Sequence, residues 1–135
     1  MNVILLGRGR FSPYLQKAIS KNADFNCFVL PCRSYNIDEI IALLLNKNPD
    51  IVIDLLDPSN DYMPNFAQIA DRNNLLRDRL KYIIHPFSYV YISSANLYLA
   101  SSSIIVETSP FETQLQSDYL LLKYQAESYV SSLTK

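Results

Sequence analysis

Two residues that can exchange a proton, Tyr119 and Lys123, lie four positions apart near the end of the sequence. In a helix, this spacing places the phenol and the ammonium on one face. Free tyrosine has a pKa near 10, but an ammonium about 4 Å away, at an effective dielectric constant of about 20, favours the phenolate by roughly 4 kcal/mol, or about 3 pKa units. The pair therefore predicts a tyrosine with a lowered pKa that moves a proton to or from a substrate oxygen. The alternative is that Tyr119 packs in the core and Lys123 is a solvated helix residue.

The only two glycines of the chain stand together, in Gly7-Arg8-Gly9-Arg10-Phe11-Ser12. This stretch follows an apolar strand pattern and precedes a helix pattern, which is the context of the GxGxxG dinucleotide fingerprint, here with Ser12 in the third place. Gly7 would allow the tight turn, and Gly9 would let the backbone approach a pyrophosphate at the helix N-terminus. The stretch predicts a dinucleotide-binding loop made of Gly7, Arg8, Gly9, Arg10, Phe11 and Ser12; an ordinary strand-helix turn is the alternative.

The residue at the end of the second predicted strand bears on the kind of dinucleotide. A protein that reads NAD usually has Asp or Glu there to accept hydrogen bonds from the ribose, but this sequence has Cys32 followed by Arg33. Together with Arg8 and Arg10, Arg33 could neutralise a 2'-phosphate, so the sequence favours NADP over NAD. The alternative is that these arginines are solvated surface residues.

The elements that must position these residues alternate between strand and helix patterns. Such alternation predicts a doubly wound α/β fold, a parallel Rossmann-like sheet with helices on both faces. Residues 33–35 fit either a short edge strand or a loop. The predicted strands are Asn2–Leu6, Phe25–Leu30, Asp50–Leu56 and Tyr89–Ser93, and the predicted helices are Tyr14–Lys21, Asn36–Asn46, Phe66–Ile84 and Ser117–Leu133.

Composition excludes several classes of function. A net charge of -1 and a pI near 5.7, without Lys/Arg clusters, argue against nucleic-acid binding. No apolar run approaches the roughly 20 residues of a membrane span, and no signal-peptide pattern follows Met1, so we expect a cytoplasmic protein without a membrane partner. Cys27 and Cys32 are expected to be reduced core thiols, and with His85 as the only histidine no metal site is predicted.

The order of these motifs resembles the extended short-chain dehydrogenase/reductase family of nucleotide-sugar epimerases, dehydratases and reductases, and most closely its dehydrorhamnose-reductase branch. The resemblance runs from Gly7 to Glu127 and implies that residues 1–135 form one NAD(P)-binding Rossmann-like domain. It also implies hydride transfer to or from NADP or NAD with a proton relay of Ser94, Tyr119 and Lys123. The family's cofactor contacts would fall on the glycine loop, Arg33, Tyr119 and Lys123, and its helix asparagine on Asn73.

Departures from the family pattern support an alternative function. Ser12 replaces a glycine, Leu55-Leu56-Asp57 replaces small residues, and only 12 residues follow Lys123, so we expect the substrate domain to be absent. A nucleotide-sugar substrate would then require completion by a C-terminal domain. The alternative is a catalytically inactive Rossmann-fold binding or scaffold module. A homodimer through the third and fourth predicted helices is a further expectation, with core packing of those helices as its alternative.

Overall fold

Four strands form a single parallel sheet in the computed structural model, which describes residues 1–57, 65–83, 86–93 and 118–132. The strands lie in the order β2-β1-β3-β4. Their carboxyl ends are level, because Leu6 is in register with Leu30 of β2 and with Asp54 of β3, and Asp54 with Tyr91 of β4. The bounds are β1 Asn2–Leu6, β2 Asn26–Leu30, β3 Ile51–Asp54 and β4 Ser88–Tyr91.

Within the described residues, the chain also forms four α-helices, three of which connect successive strands. Because β2 and β3 lie on opposite sides of β1, right-handed crossovers carry α1 and α2 across opposite faces of the sheet. The predicted α/β fold with a parallel sheet is confirmed. The helices are α1 Ser12–Ile19, α2 Ile37–Asn46, α3 Phe66–Leu80 and α4 Asp118–Ser131.

The core lies between the sheet and the helices α2 and α3. β1 is central and its residues from Val3 to Leu6 are buried, which explains their continuous apolar run. Ile40 and Leu44 of α2 pack in one cluster with Leu76 and Leu80 of α3 against the strands. The carboxyl end of β1 therefore sits at the point where the chain turns to opposite sides of the sheet. In open α/β sheets, this is where ligands bind.

Several element ends differ from the sequence prediction. β3 ends at Asp54 rather than Leu56, because the Asp54 carboxylate accepts a hydrogen bond from the Leu56 backbone amide at 2.9 Å and turns the chain. The segment predicted as either an edge strand or a loop, residues 33–35, is neither. Arg33 and Ser34 belong to a 3-10 turn, Cys32–Ser34, and Tyr35 caps it. α3 ends at Leu80 rather than Ile84. None of the helices in the described ranges is long and apolar enough to span a membrane.

Candidate functional site

A cavity of about 760 Å³ opens at the carboxyl ends of the strands. It is lined by residues from the β1–α1 loop, the ends of β2, β3 and β4, and the helices α3 and α4. Among the predicted site residues, the cavity brings together the glycine loop, Arg33, Asn73, Tyr119 and Lys123. Ser94 lies outside the described residues. The lining residues are Gly7, Arg8, Gly9, Arg10, Phe11, Cys32, Arg33, Asp54, Leu55, Leu56, Asp57, Ile69, Arg72, Asn73, Ile92, Ser93, Tyr119 and Lys123.

The two glycines of the loop meet different constraints. Gly7 has a φ of +99°, and a Cβ there would come within 2.8 Å of the Leu55 carbonyl oxygen, so both its backbone and its surroundings require glycine. Gly9 is not crowded, because a Cβ there would meet only the Leu55 carbonyl oxygen, at an ordinary contact distance of 3.9 Å. Its lack of a side chain instead leaves space on the cavity side.

Ser12, the departure in the third place of the fingerprint, does not line the cavity. It is buried, its hydroxyl donates to the Gly9 carbonyl at 2.9 Å, and its backbone amide donates to the same oxygen at 3.2 Å. The serine therefore closes the loop onto the first turn of α1. Its replacement of glycine leaves the loop intact.

The end of the cavity at β2 is basic. Arg33 follows that strand and lines the cavity together with Arg72 of α3, which sequence reasoning missed, and Arg8 and Arg10 line the cavity from the β1–α1 loop. The Arg72 guanidinium donates to the carbonyl oxygens of Cys32, at 2.6 Å, and of Tyr35. Arg72 thereby fixes the 3-10 turn that carries Arg33.

Cys32 stands at the position where a protein that reads NAD usually has Asp or Glu. Its thiol is buried, donates to the Leu30 carbonyl at 3.3 Å, and has a pKa raised to about 11 by burial. The thiol is therefore protonated at neutral pH and presents no charge to this end of the cavity.

A network of buried charges, which sequence reasoning missed, adjoins the cavity, and its members Asp54 and Asp57 line the cavity wall. The fully buried Arg77 donates from Nε to Asp54 Oδ2 at 2.8 Å and from Nη2 to Asp57 Oδ1 at 2.8 Å. Tyr89 donates to Asp54 at 2.7 Å and Tyr91 to Asp57 at 2.6 Å. The available signal was the position of Arg77 on the apolar side of α3, combined with the acidic residue at the end of an apolar strand.

The network fixes the charge of its members. Burial alone raises the pKa of Asp57, but the charges of Arg77 and Lys123 and the hydrogen bonds from Tyr91 and Arg77 hold it below its usual range. Burial lowers the pKa of Arg77, but its two carboxylate partners raise it above its ordinary value. The pKa of Tyr91 is raised, first by burial and then by Asp57. Asp57 and Arg77 are therefore ionised and Tyr91 is neutral.

Lys123 belongs to the same network. Only 7% of its surface is exposed, its Nζ donates to the Ile92 carbonyl at 2.8 Å, and Nζ lies 3.5 Å from Asp57 Oδ2. Asn73, also buried, donates to the Leu56 carbonyl at 3.0 Å. The proposed cofactor contacts Lys123 and Asn73 are thus both held by groups of the β3 and β4 ends.

Tyr119 and Lys123 share a face of α4 as the spacing predicts, but the expected lowering of the Tyr119 pKa is wrong. The Lys123 ammonium lies 5.7 Å from the centre of the Tyr119 ring. The Tyr119 pKa is raised, first by burial and then by the charge of Asp57. The physical reason is the burial of the phenol, to which the negative charge of Asp57 adds, and the helical spacing alone reveals neither.

One polar atom of the cavity wall has an open hydrogen-bonding position. The Ser93 hydroxyl oxygen, at the end of β4, is buried and has no hydrogen-bond partner within the described part of the chain. The described residues contain no group of three His, Cys, Asp or Glu side chains placed to hold a metal ion, and His85 lies outside them.

Comparison with solved structures identifies the fold. The UDP-glucuronic acid 4-epimerase from Bacillus cereus, in complex with NAD, matches 98% of this chain with a TM-score of 0.70 and 17% identity. The dTDP-glucose 4,6-dehydratase from Bacillus anthracis str. Ames, also in complex with NAD, matches 98% with a TM-score of 0.69 and 13% identity. The chain has the fold of these proteins.

The extent of the match is as informative as its quality. The chain spans about half the length of each solved structure, 52% of the epimerase and 51% of the dehydratase. The two solved structures are those of an epimerase and a dehydratase, activities found in the family that the sequence resembles. The sequence matches no protein-family model and no curated protein. At these identities, the likeness establishes the fold, and the Rossmann-like prediction is confirmed.

Proposed function

We propose that this chain is the NAD(P)-binding portion of a nucleotide-sugar epimerase, dehydratase or reductase of the extended short-chain dehydrogenase/reductase family. The observation that carries the proposal is the cavity over Gly7 and Gly9 at the carboxyl end of the central strand. The two neighbours with this fold were solved in complex with NAD. In this proposal, residues 1–135 act as one nucleotide-binding domain in the cytoplasm.

The residues around the cavity fit a dinucleotide. Gly9 leaves room for a pyrophosphate to approach the backbone, and α1, which begins immediately after the loop, has the positive end of its helix dipole there. The arginines at the β2 end match a 2'-phosphate, because guanidinium groups bind phosphate through paired hydrogen bonds. NADP is therefore the proposed cofactor, with NAD as the weaker ligand.

The proposed chemistry uses a proton relay of Ser94, Tyr119 and Lys123. The dinucleotide, when bound, supplies hydride transfer. Tyr119 lines the cavity and would hold the proton exchanged with a substrate hydroxyl, while Lys123, also in the cavity wall, would contact the cofactor ribose. Ser94 would hold the substrate oxygen. A nucleotide-sugar substrate would require a C-terminal domain, and pairing of α3 and α4 between two subunits is the proposed route to a homodimer.

A catalytically inactive dinucleotide-binding or scaffold module is the second candidate. The observation that favours it is the ion pair between Lys123 and Asp57, together with a Tyr119 pKa that is raised by burial and then by the charge of Asp57. Leu55 and Leu56 add bulk to the cavity wall beside the glycine loop. A module of this kind would bind the dinucleotide without moving a proton.

Fluorescence titration of the chain with NADPH and NADH tests the cofactor proposal. We expect both to bind and NADPH to bind about tenfold more tightly, because one charge-assisted phosphate contact contributes about 1.5–3 kcal/mol. Arg33→Gln should remove most of this preference. Arg79→Gln, which removes the same charge at an exposed position on α3, should leave it unchanged.

Each outcome of the titration has a distinct meaning. No binding of either nucleotide at millimolar concentration would refute the cofactor proposal. Binding without a preference for NADPH, or a preference that Arg33→Gln leaves intact, would refute only the role of the arginines. Binding that is weakened equally by Arg33→Gln and Arg79→Gln would indicate a general effect of charge rather than a phosphate contact.

A further inference from the structure

The Lys123 ammonium has a fixed location in the cavity wall. It is nearly fully buried, with the Ile92 carbonyl oxygen at 2.8 Å and Asp57 Oδ2 at 3.5 Å. Its Nζ also lies 5.0 Å from the centre of the Tyr91 ring and 5.7 Å from that of Tyr119. A buried ammonium needs such partners, because removing it from water costs several kcal/mol. The position of Lys123 is therefore set by groups at the ends of β3 and β4.

Asp57 is itself held in place by other contacts. Arg77 donates to one of its oxygens at 2.8 Å and Tyr91 to the other at 2.6 Å. Asn73 approaches Oδ1 at 3.4 Å. Because both oxygens are engaged, the carboxylate cannot turn away from Lys123 without breaking hydrogen bonds in a buried environment.

The charges in this region balance. Asp54 and Asp57 contribute two negative charges, and Arg77 and Lys123 contribute two positive charges, all on buried or nearly buried side chains. Tyr119 stands at the edge of this neutral group. Within the described residues, Tyr91 lies beside Lys123, and the charged and titratable side chains that line the same cavity as Tyr119 are Arg8, Arg10, Cys32, Arg33, Asp54, Asp57, Arg72 and Lys123. An ammonium whose charge is offset in this way stabilises a phenolate far less than an unpaired one.

We propose that Asp57 is a positioning residue that holds the Lys123 ammonium in an ion pair and thereby limits the stabilisation that this ammonium can give to a Tyr119 phenolate in the ligand-free protein. The raised pKa of Tyr119, to which burial and then the charge of Asp57 contribute, agrees with this geometry. The inference rests on the proposed roles of Tyr119 and Lys123 at the cofactor site. It makes Asp57, a departure from the family pattern, the residue that decides whether the pair is active in proton transfer.

The test is the ionisation of Tyr119, followed by NMR of the chain labelled at tyrosine Cζ, with the resonance assigned through Tyr119→Phe. Asp57→Asn removes the carboxylate charge while an amide oxygen can still accept from Arg77. It should lower the Tyr119 pKa by roughly one to two units, the effect of one unit charge about 7–10 Å away at an effective dielectric constant of about 20. Asp57→Glu keeps the charge and should restore a value close to the wild-type one.

Asp71→Asn is the matched control, because it removes the same charge from an exposed position on α3. It should leave the Tyr119 pKa unchanged. If Asp57→Asn does not fold, Lys123→Met tests the same ion pair from the other side. It should raise the Tyr119 pKa, because less positive charge then offsets the negative charge of Asp57.

An unchanged Tyr119 pKa in folded Asp57→Asn, or an equal change in Asp71→Asn, would overturn the inference. An unchanged Tyr119 pKa in Lys123→Met would also overturn the inference. The measurement contains no nucleotide, so its failure is separate from failure of the cofactor proposal. A chain that binds no NADPH but shows the Asp57 effect would refute the proposed function and leave the ion pair as a property of the protein.

Discussion

Replacing Arg77 by methionine should destabilise the protein far more than the loss of a surface ion pair. Arg77 is fully buried and pairs with both Asp54 and Asp57 at 2.8 Å, so its removal leaves two buried carboxylates without their principal cation. Breaking a buried ion pair by removing one partner typically costs about 3–5 kcal/mol. With about 2.1 cal/mol/K of unfolding entropy per residue, a chain of 135 residues loses roughly 3.5 °C of melting temperature per kcal/mol. The expected decrease is about 10–18 °C.

Arg79→Met provides a matched control on the same helix. Arg79 pairs with Asp38 at 3.1 Å, but the two side chains are 56% and 84% exposed. Exposed ion pairs contribute about 0–1 kcal/mol, so the melting temperature of this variant should fall by no more than about 3 °C. Urea unfolding followed by circular dichroism at pH 7 gives the two free energies of unfolding directly.

The pH dependence provides a second measurement on the same variants. Because the folded-state pKa of Asp57 is below its usual range, its contribution to stability is present above the unfolded pKa near 3.9 and is lost as the pH falls through the folded value. Arg77→Met removes the main charge that lowers the Asp57 pKa, whereas the burial that raises it remains. The stability of the variant should therefore no longer fall as Asp57 is protonated. The stability difference between the two proteins should therefore be largest at neutral pH and shrink below about pH 4. A cost for Arg77→Met no greater than that of Arg79→Met, or a difference independent of pH, would refute the buried network.

Two further substitutions test local features that position the cavity. Gly7→Ala should lower the free energy of unfolding by about 1–3 kcal/mol or more, measured by urea unfolding, because φ is +99° and the new Cβ would lie 2.8 Å from the Leu55 carbonyl oxygen. Gly9→Ala, where the nearest contact is 3.9 Å, is its control and should be near neutral; equal effects would contradict the close approach at Gly7. Asn36→Ala should cost about 0.5–2 kcal/mol, because the Asn36 side chain accepts from the Glu39 amide at 2.8 Å at the start of α2. A change below about 0.3 kcal/mol would mean that this cap contributes little.

The alternation of elements and the loop could be predicted from the sequence because both depend on short-range physics. The apolar run Asn2–Leu6 predicts a strand, and the structure places it at the centre of the sheet, with the residues from Val3 to Leu6 buried. The predicted helix begins at Asn36, and in the structure Asn36 forms a capping box with Glu39 at the start of α2. The pairing of Gly7 and Gly9 after that strand marks a turn that requires backbone freedom. Each of these signals lies within a few residues of the feature that it determines.

The electrostatics of the site depended on contacts between distant parts of the chain. Arg77 and Asp54 are 23 residues apart, and Lys123 and the Ile92 carbonyl are 31 residues apart, so neither contact is visible in any local pattern. Helical spacing correctly placed Tyr119 and Lys123 on one face, but it predicted the wrong direction for the Tyr119 pKa. That direction is a sum over all nearby charges and burial, and each contribution changes with distance and solvent exposure. Sequence therefore determined which groups are available, whereas the tertiary structure, by bringing Asp57 against Lys123, decided the balance of charge around Tyr119.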